Sequence, residues 1–275
     1  MDCPICASPA LALPEKHPEC QLYRCTVCGH KFSELNPDAT MEPYDPDYFA
    51  DTHYNWFANP HLKLYAKIAE VVSSDPTIRD LIDVGCGNGS LLRFLSDHAP
   101  ASISLTGIDL FPNVSTSRIE YIQGDIFSSD IERQFSAVVT LATIEHVDKI
   151  SSFARQLRRL VRPGGLLVVM TLNDDSILYM AARFLNRIGF SKPFDRIYSR
   201  HHLHHFTRSS LVYLLEKENF RVERTLLHNA PIGSLDFPAS NFATAAIQRF
   251  GVRILFAIGT LLRKTYLQTI ILRPI

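Results

Sequence analysis

The chain has 275 residues, of which 46% are apolar, 20% charged and 10% aromatic. That balance suits a globular protein and excludes a disordered or collagen-like one, and the length fits one α/β domain of about 200 residues plus an appendage. Twenty-eight Lys and Arg oppose twenty-eight Asp and Glu, so no global field favours nucleic acid or an anionic membrane, and any such contact needs a local patch.

The amino terminus, MDCPICASPALALPEKHP, lacks the positive-then-apolar order of a secretory signal, which makes the cytoplasm the expected compartment. Five of the six cysteines lie in the first 28 residues, four of them as Cys3-Pro4-Ile5-Cys6 and Cys25-Thr26-Val27-Cys28. In a reducing compartment such paired spacing points to metal rather than disulfides. Two tight turns would let Cys3, Cys6, Cys25 and Cys28 close a tetrahedral shell around a structural Zn2+, with no open position for catalysis. Gln21 to Arg24 and Lys31 to Ser33 would form the strands of a ribbon too small to hold without that staple. Cys20 has the wrong strand parity to join Cys25 and is expected to pack instead. His17 and His30 are substitute ligands that a four-thiolate site does not need. The ribbon is assigned to residues 1–40.

Residues 41–75 read as an aromatic linker (Tyr44, Tyr48, Phe49, Tyr54, Trp56, Phe57) followed by a lid helix, His61 to Val72, with apolar positions at Leu62, Tyr65, Ile68, Ala69 and Val72. From residue 76 to the end, strand-length apolar runs alternate with helical patterns. The expected strands are Leu81 to Val84, Ser104 to Leu110, Ile119 to Gln123, Ala137 to Ala142 and Leu166 to Thr171. A helix follows Gly89, and another runs from about Lys149 to Val161 until Arg162-Pro163-Gly164-Gly165 stops it. Such alternation implies a parallel sheet with helices on both faces. After residue 173 the pattern loosens until Thr207 caps a helix, Arg208 to Asn219, which leads into a strand, Phe220 to Leu227. A helical insertion at about 231–265, centred on Asn241 to Arg263, precedes a last strand, Gln268 to Arg273. The longest largely apolar stretches, Gly165 to Leu172 and Val252 to Leu262, fall short of the roughly 18 to 20 residues a bilayer-spanning helix needs, so none is expected.

Asp83-Val84-Gly85-Cys86-Gly87-Asn88-Gly89 closes the first of these strands and opens its helix, where backbone must approach a ligand too closely for side chains. In a dinucleotide fingerprint the third glycine would fall at position 90, which is Ser. Here the spacing is one shorter, and Asp83 would repel a pyrophosphate. A cationic ligand with an amino-acid head group suits the loop better. About twenty residues on, Asp109 ends the second strand, placed to take both hydroxyls of a ribose.

These motifs resemble the class I S-adenosylmethionine-dependent methyltransferases over roughly residues 60–230. The resemblance implies a Rossmann-like α/β sheet, mostly parallel with an antiparallel final strand, carrying the small zinc ribbon at its amino terminus. It also implies S-adenosyl-L-methionine as cofactor, with Asp83, Gly85 and Gly87 at its methionine end, Asp109 on the ribose, and Asp125 and Ile126 of Gly124-Asp125-Ile126 on the adenine. Cys86, Leu110 and Leu141 complete the expected cofactor contacts. Thr140 to Val147 is similar to the segment that faces the sulfonium, which makes His146 the leading base candidate, with Glu145 beside it and His53 and Tyr54 of the linker as second candidates. Glu145 and His146 as mere helix caps is an equal reading.

His201-His202-Leu203-His204-His205 invites a metal assignment, but the family resemblance implies that histidines just before the Thr207 cap lie beside the acceptor site. Asn241 to Arg263 mixes large apolar residues with Arg249, Arg253 and Arg263. Core packing or a dimer is the commoner role of such a helix, and peripheral membrane or lipid contact through 241–264, or covering a greasy acceptor, is the alternative. The expected reaction is methyl transfer by in-line displacement to a small-molecule acceptor: a sugar, a lipid-linked intermediate or a secondary metabolite. Two alternatives remain open: an RNA methyltransferase gripping RNA with its ribbon, and a non-catalytic cofactor-binding partner subunit. Against RNA, residues 1–35 carry only Lys16, Arg24 and Lys31 as fixed positive charges, so the nucleic-acid signal is weak. The oligomeric state has no signal.

Overall fold

The computed structural model describes residues 1–37, 54–129, 131–237 and 242–275. Its larger sheet holds seven strands: β4 (Asp80–Val84), β5 (Ser104–Asp109), β6 (Ile119–Gln123), β7 (Phe135–Leu141), β8 (Val161–Leu172), β10 (Phe220–His228) and β11 (Leu267–Pro274). Their spatial order is β10-β11-β8-β7-β4-β5-β6. Neighbours from β8 to β6 pair in parallel, and β11 slots antiparallel between β10 and β8. The chain order reverses at β4, between β5 and β7, so a crevice opens there at the carboxyl ends of the strands.

Alternation along each strand feeds two cores. Leu167 and Val169 of β8 join Ile82, Val138 and Ile270 on one face, while Leu166, Val168 and Met170 join Leu81, Leu105 and Val139 on the other. The first face is covered by α4 (Ile150–Leu160) and α7 (Arg208–Glu216), the second by α2 (Leu62–Ser74) and α3 (Ser90–His98). α4 shows why its sequence makes a helix here: Ile150, Phe153, Ala154, Leu157 and Leu160 form one buried stripe, and Arg155 remains exposed on the other side.

The amino-terminal sheet has more strands than the sequence suggests: β1 (Ala10–Lys16), β2 (Cys20–Cys25), β3 (Lys31–Leu35) and β9 (His204–His205), in that order. The expected two-stranded ribbon is therefore corrected in two respects. β1 pairs with β2, and β9, from the far end of the chain, pairs with β3. The ribbon is thus stitched to the larger domain by backbone hydrogen bonds. Ser151 Oγ and Lys217 Nζ add bonds to the Pro4 and Ile5 carbonyls. On β3 itself, Lys31 pairs with the fully buried Asp174, which also pairs with Arg183 and accepts from Tyr198.

Between β8 and β9, where no pattern was legible, lie α5 (Ile177–Arg187) and α6 (Lys192–Ile197). α1 (Tyr54–Ala58) packs on the 3-10 turn Ile232–Ser234. α8 (Phe242–Leu261) packs on α5. The 19 residues Ala243–Leu261 are long and apolar enough to cross a bilayer by length and composition. The expectation that no such segment exists is corrected, because the helix runs unbroken through Arg249, Gly251 and Arg253 and joins the apolar residues on either side.

Candidate active site and metal cluster

A single cavity of about 1010 Å3 opens at the carboxyl ends of β4, β5 and β7 and runs outward to α1, α5, α6 and α8. All nine expected cofactor contacts line it: Asp83, Gly85, Cys86, Gly87, Asp109, Leu110, Asp125, Ile126 and Leu141.

The glycine turn has the required geometry. Gly85, Gly87 and Gly89 have φ of 74°, 52° and 76°, a region that side chains avoid. A Cβ on Gly85 would fall 2.3 Å from Thr143 Oγ1, and one on Gly89 2.1 Å from the Tyr121 hydroxyl. Asp109 braces the turn from β5. Its carboxylate accepts from the Gly87 amide at 2.7 Å and the Phe111 amide at 2.8 Å, and Asn113 Nδ2 donates to the Gly87 carbonyl at 2.7 Å. Asp125 caps its own turn, accepting from the Phe127 amide at 2.9 Å.

Asp83 is buried at the end of β4, and its Oδ1 has no hydrogen-bond partner. Burial, and then the neighbouring Asp109 charge, push its carboxyl up to about 8. An orphaned carboxylate in a cavity wall calls for a cationic donor. The cradle without side chains, the orphaned acid and the second acid one strand away therefore fit S-adenosylmethionine, whose ammonium and ribose hydroxyls supply the missing donors.

At the tip of β7 the backbone is strained. Ala142 has φ of 52°, a left-handed conformation that costs a non-glycine residue on the order of 1 kcal/mol and that concentrates at functional sites. The turn presents the 3-10 helix Ile144–His146. Glu145 is buried, accepts from Thr171 Oγ1 at 2.8 Å, and has its carboxyl raised to about 7 by burial. Its backbone carbonyl accepts from the Leu203 amide at 2.8 Å. His146 Nδ1 lies 2.7 Å from the His201 carbonyl, so Nδ1 carries the proton in the neutral ring and Nε2 the lone pair. The His202 ring sits 4.9 Å from the His146 ring. Glu145, His146, His201 and His202 all line the cavity.

The histidine run therefore divides: His201 and His202 reach the cavity, whereas His204 and His205 are buried in β9. His204 accepts from His30 Nε2 at 3.0 Å and donates to the Val147 carbonyl, and burial lowers it to about 4. His205 meets Ser33 Oγ at 2.7 Å. Tyr54, a base candidate, is exposed and lies outside the cavity wall. Two and three helical steps turn Trp56 and Phe57 inward instead. His53 falls outside the described residues. Sequence reasoning did not single out Asn113, Thr143 or Tyr121 and missed the part of the outer wall formed by α5 and α6, whereas α8 lines the cavity as a helix covering an acceptor would.

The thiols of Cys3, Cys6, Cys25 and Cys28 converge, all within 4.8 Å of one another, and are the one group among the described residues able to hold a metal ion. Cys6 to Cys25 is 3.4 Å, and Cys3 to Cys28 and Cys6 to Cys28 are 3.6 Å. A tetrahedral ion with sulfur ligands at about 2.3 Å requires edges of about 3.8 Å. The Val27 and Cys28 amides both point at the Cys25 sulfur from 3.4 Å, the donors a thiolate needs. The four residues thus fit a metal ion. Cys20 stands apart, with its sulfur 3.4 Å from His17 Nδ1.

A methyltransferase domain family matches residues 48–225. A mitochondrial ubiquinone biosynthesis O-methyltransferase of Dictyostelium discoideum is 29% identical over 177 residues, which is 54% of this chain and 51% of that protein. A probable S-adenosylmethionine-dependent methyltransferase of Mycolicibacterium smegmatis is 28% identical over 195 residues, 68% of each chain. The chain thus spans about half the length of the Dictyostelium enzyme. Among solved structures, the Burkholderia thailandensis 1,6-didemethyltoxoflavin-N1-methyltransferase superposes with a TM-score of 0.53 at 12% identity, covering 89% of this chain and 95% of that one. At that identity the likeness concerns the fold. The family match spans most of the chain, the sheet order and glycine turn agree with it, and the chain belongs to the methyltransferase domain family as a class I S-adenosylmethionine-dependent methyltransferase.

Proposed function

We propose that the protein methylates a hydroxyl of a small, largely apolar acceptor, with His146 as the base and a zinc-stapled ribbon holding the acceptor end of the site. The observation that carries this reading is that one cavity is lined both by the glycine turn and by Leu178, Ala182, Leu185, Val252 and Leu255, with His146 in the same lining. Ubiquinone biosynthesis O-methyltransferases are among the relatives by sequence, which agrees with a hydroxyl on a greasy molecule.

S-adenosylmethionine supplies a methyl group on a positively charged sulfur. The protein's part is alignment in a water-poor cavity and removal of one proton. With the cofactor bound there, the methyl group would pass in line, the acceptor oxygen gaining the O–CH3 bond and the electrons of the S–CH3 bond returning to sulfur. The hydroxyl proton passes to His146 Nε2, and the His201 carbonyl steadies the resulting cation through Nδ1–H. Glu145, buried behind it, holds Leu203 and Thr171 in place. Four thiolates at Cys3, Cys6, Cys25 and Cys28 would close a structural zinc shell. Because β3 pairs with β9, the ribbon braces the segment that carries His201 and His202.

The test is methyl transfer from isotopically labelled S-adenosylmethionine to a panel of phenols and alcohols graded by alkyl length, with transfer RNA in parallel. Methyl ethers formed faster as the apolar part grows are the expected outcome. Label entering RNA and none of the hydroxyl compounds would overturn the reading.

A further inference from the structure

α8 is two-faced in an unusual way. Gln248, Gly251, Val252 and Leu255 turn toward the cavity, yet a second face beside them is apolar too: Ile247, Phe250, Ile254, Ile258 and Leu261 recur at three- and four-residue steps and are exposed, Ile247 by 70% and Leu261 by 82%. The stripe continues onto α5, which packs beside α8 and exposes Met180, Phe184 (62%) and Ile188. Lys264 Nζ lies 3.8 Å from Met180 Sδ at the seam. Isolated exposed apolar residues need no explanation, but two adjoining stripes on neighbouring helices form a patch that a water-soluble surface does not carry without a partner.

Charge selects the partner. Residues 242–264 contain Arg249, Arg253, Arg263 and Lys264 and no Asp or Glu, and α5 contains none either, although the whole chain is neutral. By the helical step of 3.6 residues, Arg249 and Arg253 fall along one flank of the apolar stripe, not within it. A second copy of this face, docked by two-fold symmetry, would set basic groups against basic groups with no acid from either helix to pair them. Arginines at mid-helix, together with a cavity-facing side, oppose passage through the hydrocarbon. Apolar side chains flanked by cations that can reach phosphate are what a helix lying in a bilayer interface presents.

We propose that the exposed faces of α5 and α8 dock the protein on an anionic lipid bilayer, with Phe184, Phe250 and Leu261 entering the headgroup boundary and Arg253 and Lys264 meeting lipid phosphates. Docking rests on this surface alone. Delivery of an apolar acceptor from the bilayer into the cavity, whose inner wall is made by the same two helices, rests in addition on the function proposed above.

Cosedimentation of the full chain with phosphatidylcholine vesicles, with and without about one-third phosphatidylglycerol, tests it. Binding at least tenfold tighter to the anionic vesicles is expected. Phe184→Ser with Phe250→Ser should lower it more than tenfold on both vesicle types. Arg253→Gln and Lys264→Gln should each lower it about fivefold on anionic vesicles alone. Calorimetric binding of S-adenosylmethionine and methylation of a short water-soluble acceptor should be unchanged in all three variants, which separates failure of the docking from failure of the proposed reaction. Protein that stays in the supernatant with both vesicle types overturns the proposal. So does a stable dimer in solution that Phe250→Ser dissociates.

Discussion

The two ends of the cavity are built by opposite means. The cofactor end comes from one short turn and the tips of four adjacent strands, where positive-φ glycines and one acid do the positioning. The acceptor end comes from segments far apart in sequence: α1, the turn before β9, α5, α6 and α8. A local turn can hold the same ligand however the rest of the chain changes, whereas an assembled wall takes the shape of its parts. The difference predicts that the two ends can be damaged separately.

The largest separation should come from His146→Ala. Loss of a positioned base lowers turnover by a factor of about 10² to 10⁴. The glycine turn and Asp83 do not depend on that ring, so the dissociation constant for S-adenosylmethionine should stay within about twofold. Turnover reduced less than tenfold would mean that alignment alone drives transfer and that the ring only packs against His202. A matching loss of cofactor affinity would mean that the two ends are not separable at this residue.

Next in size is loss of the metal. Cys3→Ser with Cys25→Ser should remove the bound ion, measured by metal content, and cost about 3 kcal/mol or more, a fall in Tm on the order of 10 °C. β3 holds β9, and β9 follows directly on His201 and His202, so acceptor turnover should drop while cofactor affinity holds. A variant that keeps its metal and its Tm would show that the cysteines are not the ligands. One that loses cofactor binding in step with turnover would show that the ribbon supports the whole cavity and not one end.

The same contrast explains what was legible beforehand. The glycine turn, Asp83 and Asp109 could be read because the chemistry and the spacing lie within one strand-turn-helix unit. The paired cysteines were equally local. α5 went unread although Arg183, Asn186 and Arg187 mark a polar face: its apolar face is wider than the part that is buried, with Tyr179 and Ala182 inside and Met180 and Phe184 exposed, so burial does not follow the pattern. β9 is two residues long and exists only because β3 lies beside it. β1 alternates weakly, with Leu11 exposed at 65%. Nothing in the sequence signals that Ala142 adopts a left-handed conformation, since its neighbours and not its own preference impose it. Tyr54 was chosen over Trp56 and Phe57 for its chemistry, and the helix phase decided otherwise.

The smallest effect, about tenfold, concerns Asp83. Burial and the Asp109 charge hold its carboxyl at about 8, so below pH 8 it is mostly protonated. Pairing with the ligand's ammonium requires the carboxylate, so binding must release that proton, and affinity should fall as pH drops below 8. The ligand's α-ammonium loses its charge further on the alkaline side, so affinity should fall there too. The carboxylate fraction falls from about one half at pH 8 to about one thirtieth at pH 6.5, so affinity drops on the order of tenfold over that range. Calorimetric titration with S-adenosylhomocysteine, which carries the same head group, should trace this curve, and Asp83→Asn should remove its acid limb while leaving the alkaline one. Substitution of His146 or of the four ribbon cysteines should not move the curve, because none of them touches Asp83. A flat profile from pH 6.5 to 8, or an acid limb that survives Asp83→Asn, would place the ligand's ammonium elsewhere and make Asp83 a structural acid of β4.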